Sequence, residues 1–192
     1  MMKRYMLVVL VILAVAGGQA YAGDRGFYVG GGVGIPNMEV SDFYEDFADL
    51  KFENSSGGFK LFGGYRITKY FAAEGAYTDY SNVKHHEILP WGEFREINVA
   101  IDTWDLSAVG RLPLGKTVAL YVRLGGASYS ADVRTTIDDE TENESRSGTG
   151  LTYGGGIDFR AKKFGVRIAL DWLDIEDTGG VFMPTASLTY TF

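Results

Sequence analysis

Apolar and polar residues alternate with a period of two along almost the whole chain, and this pattern constrains the fold more than any other feature. Successive side chains of a β-strand point to opposite faces of the sheet, so such alternation is typical of strands with one apolar face. We identify eight such segments, and we expect an all-β protein. The eight segments are 26–35, 58–68, 70–80, 100–112, 118–129, 150–160, 164–173 and 181–192.

The connections between the segments alternate in length. Short connections follow the second, fourth and sixth segments, whereas long polar stretches follow the others at 36–57, 81–99, 130–149 and 174–180. Closed up-and-down barrels of outer membranes have short turns at one end and long loops at the other. Each segment also reaches the length of about 9–11 residues that crosses a bilayer when tilted. The sequence therefore predicts an eight-stranded antiparallel transmembrane β-barrel.

Alternation alone leaves open which face of the barrel is apolar, because a lipocalin-type carrier would bury the apolar stripe inside. The polar stripe of this chain is rich in Gly and Ala and carries charges of both signs, which suits a narrow interior filled by side chains. Aromatic residues lie near both ends of the apolar stripe, as in barrels that meet two headgroup layers. We therefore expect the apolar stripe outside, with Asp79 and Asp102 on that stripe above the hydrocarbon.

The inward stripe predicts a network of buried charges. Arginine suits buried pairing with carboxylates because its guanidinium binds both oxygens. We expect Glu74, Asp158 and Asp171 to pair with inward arginines, although the sequence does not assign the partners. Lys60 and Arg160 lie on the same stripe. The residues predicted to form the charge network of the lumen are Arg66, Glu74, Asp105, Arg111, Arg123, Asp158, Arg167 and Asp171.

The N-terminal segment has the pattern of a cleavable signal peptide. Lys3 and Arg4 precede the apolar run 6–16, and Ala20-Tyr21-Ala22 fits the small-x-small cleavage pattern. Eleven apolar residues are too few to cross a bilayer as a helix, which takes about 20. We predict a signal peptide at 1–22 and a barrel domain at 23–192, so the protein would be exported.

Composition excludes several other classes of protein. The chain of 192 residues has no Cys, which excludes a disulfide scaffold and a thiolate metal site. Its 18 basic and 25 acidic residues give a net charge of −7, which argues against binding to nucleic acid. We find no motif for a catalytic site, a metal or a cofactor, and we expect none of them.

Several short motifs resemble the OmpA/OmpX-type small outer-membrane barrels of Gram-negative bacteria. They are Gly26-Phe27-Tyr28-Val29-Gly30-Gly31, Ala73-Glu74-Gly75-Ala76-Tyr77, Gly155-Gly156-Ile157-Asp158-Phe159 and the C-terminal Leu188-Thr189-Tyr190-Thr191-Phe192. The resemblance implies a monomer in contact with outer-membrane lipid and lipopolysaccharide. It also implies that Leu188, Tyr190 and Phe192 form the C-terminal signal read by the barrel-assembly machinery. Since the sequence ends at Phe192, we expect no peptidoglycan-binding domain.

These features favour a structural or surface-interaction protein, adhesin-like, with a lumen plugged by charge pairs and at most a narrow pore. The long loops are acidic, with a net charge of −5 for 36–57 and −4 for 130–149, and their partner is not specified by the sequence. Divalent cations bridging these loops to lipopolysaccharide are a further hypothesis. An alternative is a lipid-modifying barrel enzyme using His85 and His86 in the second long loop. A periplasmic lipocalin-like carrier is the third interpretation.

Overall fold

The computed structural model describes residues 25–39, 57–88, 94–137, 140–175 and 179–192. Within these ranges, no helix is long and apolar enough to cross a membrane. The predicted signal peptide at 1–22 lies outside the described residues. The described chain forms nine strands: β1 (Gly26–Gly34), β2 (Asn37–Glu39), β3 (Gly58–Arg66), β4 (Phe71–Ile88), β5 (Phe94–Pro113), β6 (Val118–Ile137), β7 (Glu140–Ala161), β8 (Phe164–Ile175) and β9 (Gly179–Thr191).

Eight of these strands close into an antiparallel barrel, which confirms the predicted fold. The order around the barrel is β1-β3-β4-β5-β6-β7-β8-β9, and pairing of β1 with β9 closes the ring. The ninth strand, β2, continues along β9 after an interruption at Pro36, so that Asn37 lies opposite Phe182. The backbone amide of Ile35 donates to the Pro184 carbonyl at 3.2 Å across this interruption. Pro184 therefore lies within β9 without ending it.

The predicted long loops at 81–99 and 130–149 are largely strand, and here the sequence interpretation was wrong. Strands β4 and β5 continue their pairing as far as Ile88 opposite Phe94, after a register shift between Asp79 and Asn82. Strands β6 and β7 pair as far as Ile137 opposite Glu140. We call these two paired extensions the ribbons: 82–88 with 94–100, and 130–137 with 140–147. A ribbon that has water on both faces needs no apolar face, so its sequence shows no alternation. The ladder of backbone hydrogen bonds nevertheless continues.

The barrel is apolar outside and polar inside, as predicted. Leu106, Leu124 and Ile168 are exposed by 71%, 58% and 54%, whereas Glu74 and Arg123 are exposed by only 1% and 3%. A lipocalin-type carrier would have the opposite distribution. The outward aromatic rings form contacts at both ends of the strands. Tyr77–Trp104 and Trp172–Phe182 lie towards the long connections, and Phe27–Tyr65 and Phe164–Tyr190 lie towards the short turns.

Inward glycines let neighbouring strands and lumen side chains approach closely. A Cβ atom on Gly156 would lie 2.0 Å from the carbonyl oxygen of Ile168, and one on Gly125 would lie 2.1 Å from that of Leu106. Real Cβ atoms do not come so near to backbone oxygens. The Gly-rich inward stripe is therefore a packing requirement of this narrow barrel.

Candidate functional site: the barrel interior

The inward side chains of β3 to β8 form two chains of ion pairs inside the barrel. The turn-side ion chain lies near the short turns and contains Glu74, Arg167, Asp158 and Arg111. Arg167 Nη1 donates to Glu74 Oε2 at 2.7 Å, and Arg167 Nε donates to Asp158 Oδ1 at 2.8 Å. Asp158 Oδ2 accepts from Arg111 Nη2 at 3.2 Å. Both oxygens of Asp158 are thus occupied by arginines.

The loop-side ion chain lies nearer the long connections and contains Lys60, Asp171, Arg123 and Asp105. Lys60 Nζ lies 2.9 Å from Asp171 Oδ2, and Arg123 Nη1 lies 3.4 Å from Asp171 Oδ1. Arg123 Nη2 also donates to Asp105 Oδ1. The same nitrogen contacts the hydroxyl of Ser107 at 3.0 Å. All four charged side chains are almost fully buried.

These ion chains cross the lumen instead of following its wall. Glu74 lies on β4 and Arg167 on β8, and three strands lie between these two in both directions around the ring. Their 2.7 Å contact therefore joins opposite sides of the barrel. The two chains together contain four positive and four negative side chains, so their formal charges cancel. Buried charges that are paired and hydrogen-bonded in this way avoid most of the cost of an isolated buried ion.

Aromatic rings surround the Arg167 guanidinium at the centre of the turn-side ion chain. Its Cζ atom lies 4.6 Å from the ring centroid of Phe62 and 4.4 Å from that of Tyr121. The Tyr28 hydroxyl donates to Glu74 Oε2 at 2.8 Å, so this oxygen accepts from Arg167 and Tyr28 together. Cation–π contacts and hydrogen bonds thus hold the bridge in one position.

A layer of apolar side chains fills the interior on the long-connection side of the ion chains. We call it the outer apolar cluster. Met183 and Leu173 are its most buried members, at 0% and 1% exposure. The cluster consists of Tyr80, Ile101, Ala127, Leu173, Ile175, Val181 and Met183. This cluster is not recognisable from the alternating pattern, because its inward apolar residues break the rule that polar side chains line this lumen.

The structure places the eight predicted charged residues inside the barrel, and seven of them take part in the ion chains. Arg66 instead donates from Nη1 to the Thr191 hydroxyl at 3.0 Å and lies 4.8 Å from the Tyr28 ring. Within the described residues no carboxylate pairs with Arg66, and Asp158 pairs with Arg111 and Arg167 instead. Lys60 was noted on the inward stripe but left out of the predicted network.

The remaining candidate residues lie on the exterior or in the ribbons. Leu188 is exposed on the apolar surface, and the rings of Tyr190 and Phe192 form an edge contact at 5.1 Å. His85 and His86 lie in β4 opposite Ile97 and Glu96, and their side chains are outside the described set. In the described part of the chain, no group of three His, Asp or Glu side chains is arranged to hold a metal ion.

Four buried polar atoms of the described interior have no hydrogen-bond partner. Two of them, Glu74 Oε1 and Arg123 Nε, belong to side chains whose other atoms are paired within the ion chains. Ser187 Oγ is the third. The fourth is Arg111 Nε, near the short turns. Such atoms are costly to bury without a partner, so each is a position where a ligand or a water molecule could form a hydrogen bond.

A closed antiparallel barrel with an apolar exterior, aromatic contacts at both ends and a paired ionic interior is an integral β-barrel protein of an outer membrane. The sequence profile of the family described as outer membrane protein beta-barrel domain matches residues 7–190. The chain belongs to this family, and the protein is located in the outer membrane of a Gram-negative bacterium.

Known proteins similar to this chain are also outer-membrane proteins. Outer membrane protein A of Klebsiella pneumoniae is 25% identical over 169 residues, which is 82% of this chain and 46% of that protein. The chain thus spans about half the length of the curated relatives it matches.

Two solved structures have the same fold. Ail of Yersinia pestis, solved with the heparin analogue sucrose octasulfate, is 18% identical over 88% of this chain and 100% of that chain, with a TM-score of 0.58. Neisserial surface protein A is 16% identical over 87% of this chain and 97% of that chain, also with a TM-score of 0.58.

Proposed function

We propose that this protein is a structural, adhesin-like barrel without enzymatic activity, in which a sealed barrel carries β-ribbons for contact at the cell surface. The observation that carries the proposal is the length of four adjacent strands. Strands β4, β5, β6 and β7 contain 18, 20, 20 and 22 residues. About 9–11 residues suffice to cross the hydrocarbon core. The remaining residues continue as paired ribbons beyond the membrane.

The closed-lumen part of the proposal is supported by two layers inside the barrel. The Glu74–Arg167 bridge crosses the interior, and the outer apolar cluster lies above it. Barrels of eight strands have an interior that side chains fill. The barrel therefore serves as a rigid support, with at most a narrow pore.

Ion leakage from vesicles containing the purified barrel tests this part. We expect the wild-type protein to release no more K⁺ than empty vesicles. The double variant Arg123→Ala/Met183→Ala should increase the leak, because it removes the centre of the loop-side ion chain and a member of the outer apolar cluster. Each single variant serves as a control for correct folding. A steady K⁺ leak through the wild-type barrel would contradict the closed lumen.

The surface-contact part is supported by the ribbon of β6 and β7. Its strands pair without a break from the barrel to Ile137 opposite Glu140, so backbone hydrogen bonds stiffen it along its length. A preorganised surface loses less conformational entropy on binding than a flexible loop does. Binding sites on projections held by a rigid scaffold are common in proteins.

The charge of this ribbon restricts its partner. Residues 130–149 contain two basic and six acidic residues, a net charge of −4. The Ail structure holds a sulfated sugar, but a ribbon of this charge repels sulfate groups. The partner we expect is a cationic surface, or lipopolysaccharide bridged by divalent cations.

Shortening the ribbon tests surface contact separately from barrel stability. Ala131 lies opposite Arg146, so replacing 132–145 by Asn-Gly leaves a two-residue hairpin turn on the intact barrel. We expect cells that display this variant to lose adhesion to polylysine-coated surfaces, while the urea midpoint of the barrel stays unchanged. A matched variant that keeps the ribbon length but replaces Glu142 and Glu144 by Gln should lose part of the adhesion. Adhesion that survives both changes would contradict the role of the ribbon.

A further inference from the structure

A cavity of about 310 Å³ opens at the end of the barrel that carries the short turns. In outer-membrane barrels this end faces the periplasm. Among the residues that line the cavity, four are basic, namely Lys69, Arg111, Lys116 and Arg160. The acidic residue of the lining is Asp158. The formal charge of the lining is therefore +3.

The carboxylate of Asp158 does not cancel the positive charge that a ligand would meet in this cavity. Asp158 accepts from Arg167 Nε at 2.8 Å with one oxygen and from Arg111 Nη2 at 3.2 Å with the other. Since Arg167 belongs to the ion chain behind the cavity, the charge of Asp158 is already matched from the barrel interior. The other three basic side chains of the lining, Lys69, Lys116 and Arg160, belong to neither ion chain, and their charges remain available to an anion.

Arg111 gives the cavity a specific donor as well as charge. Its side chain is only 8% exposed, and its Nε atom is buried without a hydrogen-bond partner. An unpaired buried N–H beside a positively charged cavity is a site that an anionic oxygen would satisfy. The guanidinium presents its donors in a fixed plane that matches the oxygens of phosphate.

The cavity also has a well-defined wall. The Arg160 amide donates to the Thr117 carbonyl at 2.7 Å, which joins the turn between β5 and β6 to the end of β7. The Leu114 amide donates to the Val118 carbonyl at 2.9 Å within the same turn. These bonds fix the backbone that carries Lys116 and Arg160. The backbone positions of these two basic residues are thus fixed at one opening.

We propose that this cavity is a binding site for a phosphate group at the periplasmic end of the barrel. The phosphate belongs either to the headgroup of a phospholipid in the inner leaflet or to a small soluble phosphate. Both sources present the same tetrahedral anion. Arg111 Nε would bind one oxygen, and Arg160, Lys116 and Lys69 would surround the others. The proposed phosphate site is independent of the role of the ribbons and of whether ions pass through the lumen.

The test is NMR of the arginine Nε–Hε groups in the full barrel, prepared in a maltoside detergent that contains no phosphate. Sodium phosphate is titrated in one arm, and dihexanoyl phosphatidylglycerol in the other, both at about 0.15 M NaCl to screen loose attraction. We expect the Arg111 Nε–Hε resonance to shift and saturate in at least one arm. A shift with the lipid alone supports a headgroup site, and a shift with both supports a site for phosphate in general.

Two variants and one control make the result specific. Arg160→Gln removes a charge from the lining, and its binding is followed by the Arg111 resonance. Arg111→Lys keeps the charge but removes the unpaired donor, and its binding is followed by the Nε–Hε resonance of Arg160, which also lines the cavity. We expect each to weaken binding by about tenfold or more, since hydrogen bonds to charged groups have this strength. Lys163→Gln removes the same charge at the same end, but Lys163 does not line the cavity, so binding should change less than about twofold. No saturable shift in either arm, or equal weakening by Lys163→Gln, would overturn the proposal.

Discussion

Removing Glu74 should destabilise the barrel strongly, because its side chain is one half of the ion pair that crosses the lumen. Glu74 Oε2 accepts from Arg167 at 2.7 Å and from Tyr28 at 2.8 Å, and the side chain is fully buried. Deleting one partner of a buried ion pair typically costs about 3–5 kcal/mol, because the other charge stays behind.

Because Arg167 keeps its other contacts, the free energy of unfolding lost in Glu74→Ala should lie at the lower end of that range. Arg167 keeps its 2.8 Å bond to Asp158 and its contacts with the rings of Phe62 and Tyr121. The variant also removes Glu74 Oε1, which is buried without a partner. We therefore expect a loss of about 3 kcal/mol, or about 1.5 M in the urea midpoint for an m value of about 2 kcal/mol/M. Glu74→Gln keeps an acceptor oxygen and should lose about half as much.

The assay is equilibrium urea unfolding in lipid vesicles, followed by tryptophan fluorescence. Ser187→Ala is the matched control, because it removes a buried lumen hydroxyl that has no hydrogen-bond partner, and its midpoint should not fall. The double variant Glu74→Ala/Arg167→Met should lose less than the sum of the two single variants. An unchanged midpoint for Glu74→Ala, or a loss no greater than that of Ser187→Ala, would refute the assigned role of the bridge.

Three further predictions concern packing, the membrane face and assembly. Gly125→Ala should lower stability by about 1–3 kcal/mol in the same unfolding assay, because its Cβ meets a backbone oxygen, whereas the adjacent Gly126→Ala has open space and should not. Leu106→Arg on the exposed apolar face should cost about 2–4 kcal/mol in vesicles, against about 0–1 for Leu114→Arg in a short turn. Phe192→Ala should reduce the barrel assembled in cells but not its refolding in vitro; equal losses in both would contradict an assembly signal.

The period-two pattern predicted which side chains share a face because it depends only on local geometry. Parity placed Glu74 and Arg123 on the polar stripe, the composition of that stripe assigned it to the interior, and both residues are buried there. Their partners were not predictable, because pairs such as Glu74 with Arg167 join strands on opposite sides of the ring. Which residues meet across a barrel depends on strand tilt and stagger, and neither is readable from one strand.

The ribbons and the outer apolar cluster were missed for a different reason. Residues 82–88 pair with 94–100 outside the hydrocarbon, where no medium selects for alternation. Val181 and Met183 point inward, whereas the rule applied to the sequence reserved that face for polar and small side chains, so the rule overlooked them. The alternating pattern predicts the direction of side chains where the two faces of a strand meet different surroundings. It gives no such prediction where both faces meet the same surroundings.

The interior contains two layers of unlike chemistry in series, and solvents act on them differently. Dissolved electrolyte weakens attraction between exposed charges, but it has little effect on the almost fully buried ion chains. Sulfate and other strongly hydrated anions strengthen apolar burial, which tightens the layer around Met183. Cooling weakens that apolar layer while leaving the charges paired. Conditions that loosen one layer therefore leave the other in place, and the proposed closure of the lumen would not depend on either layer alone.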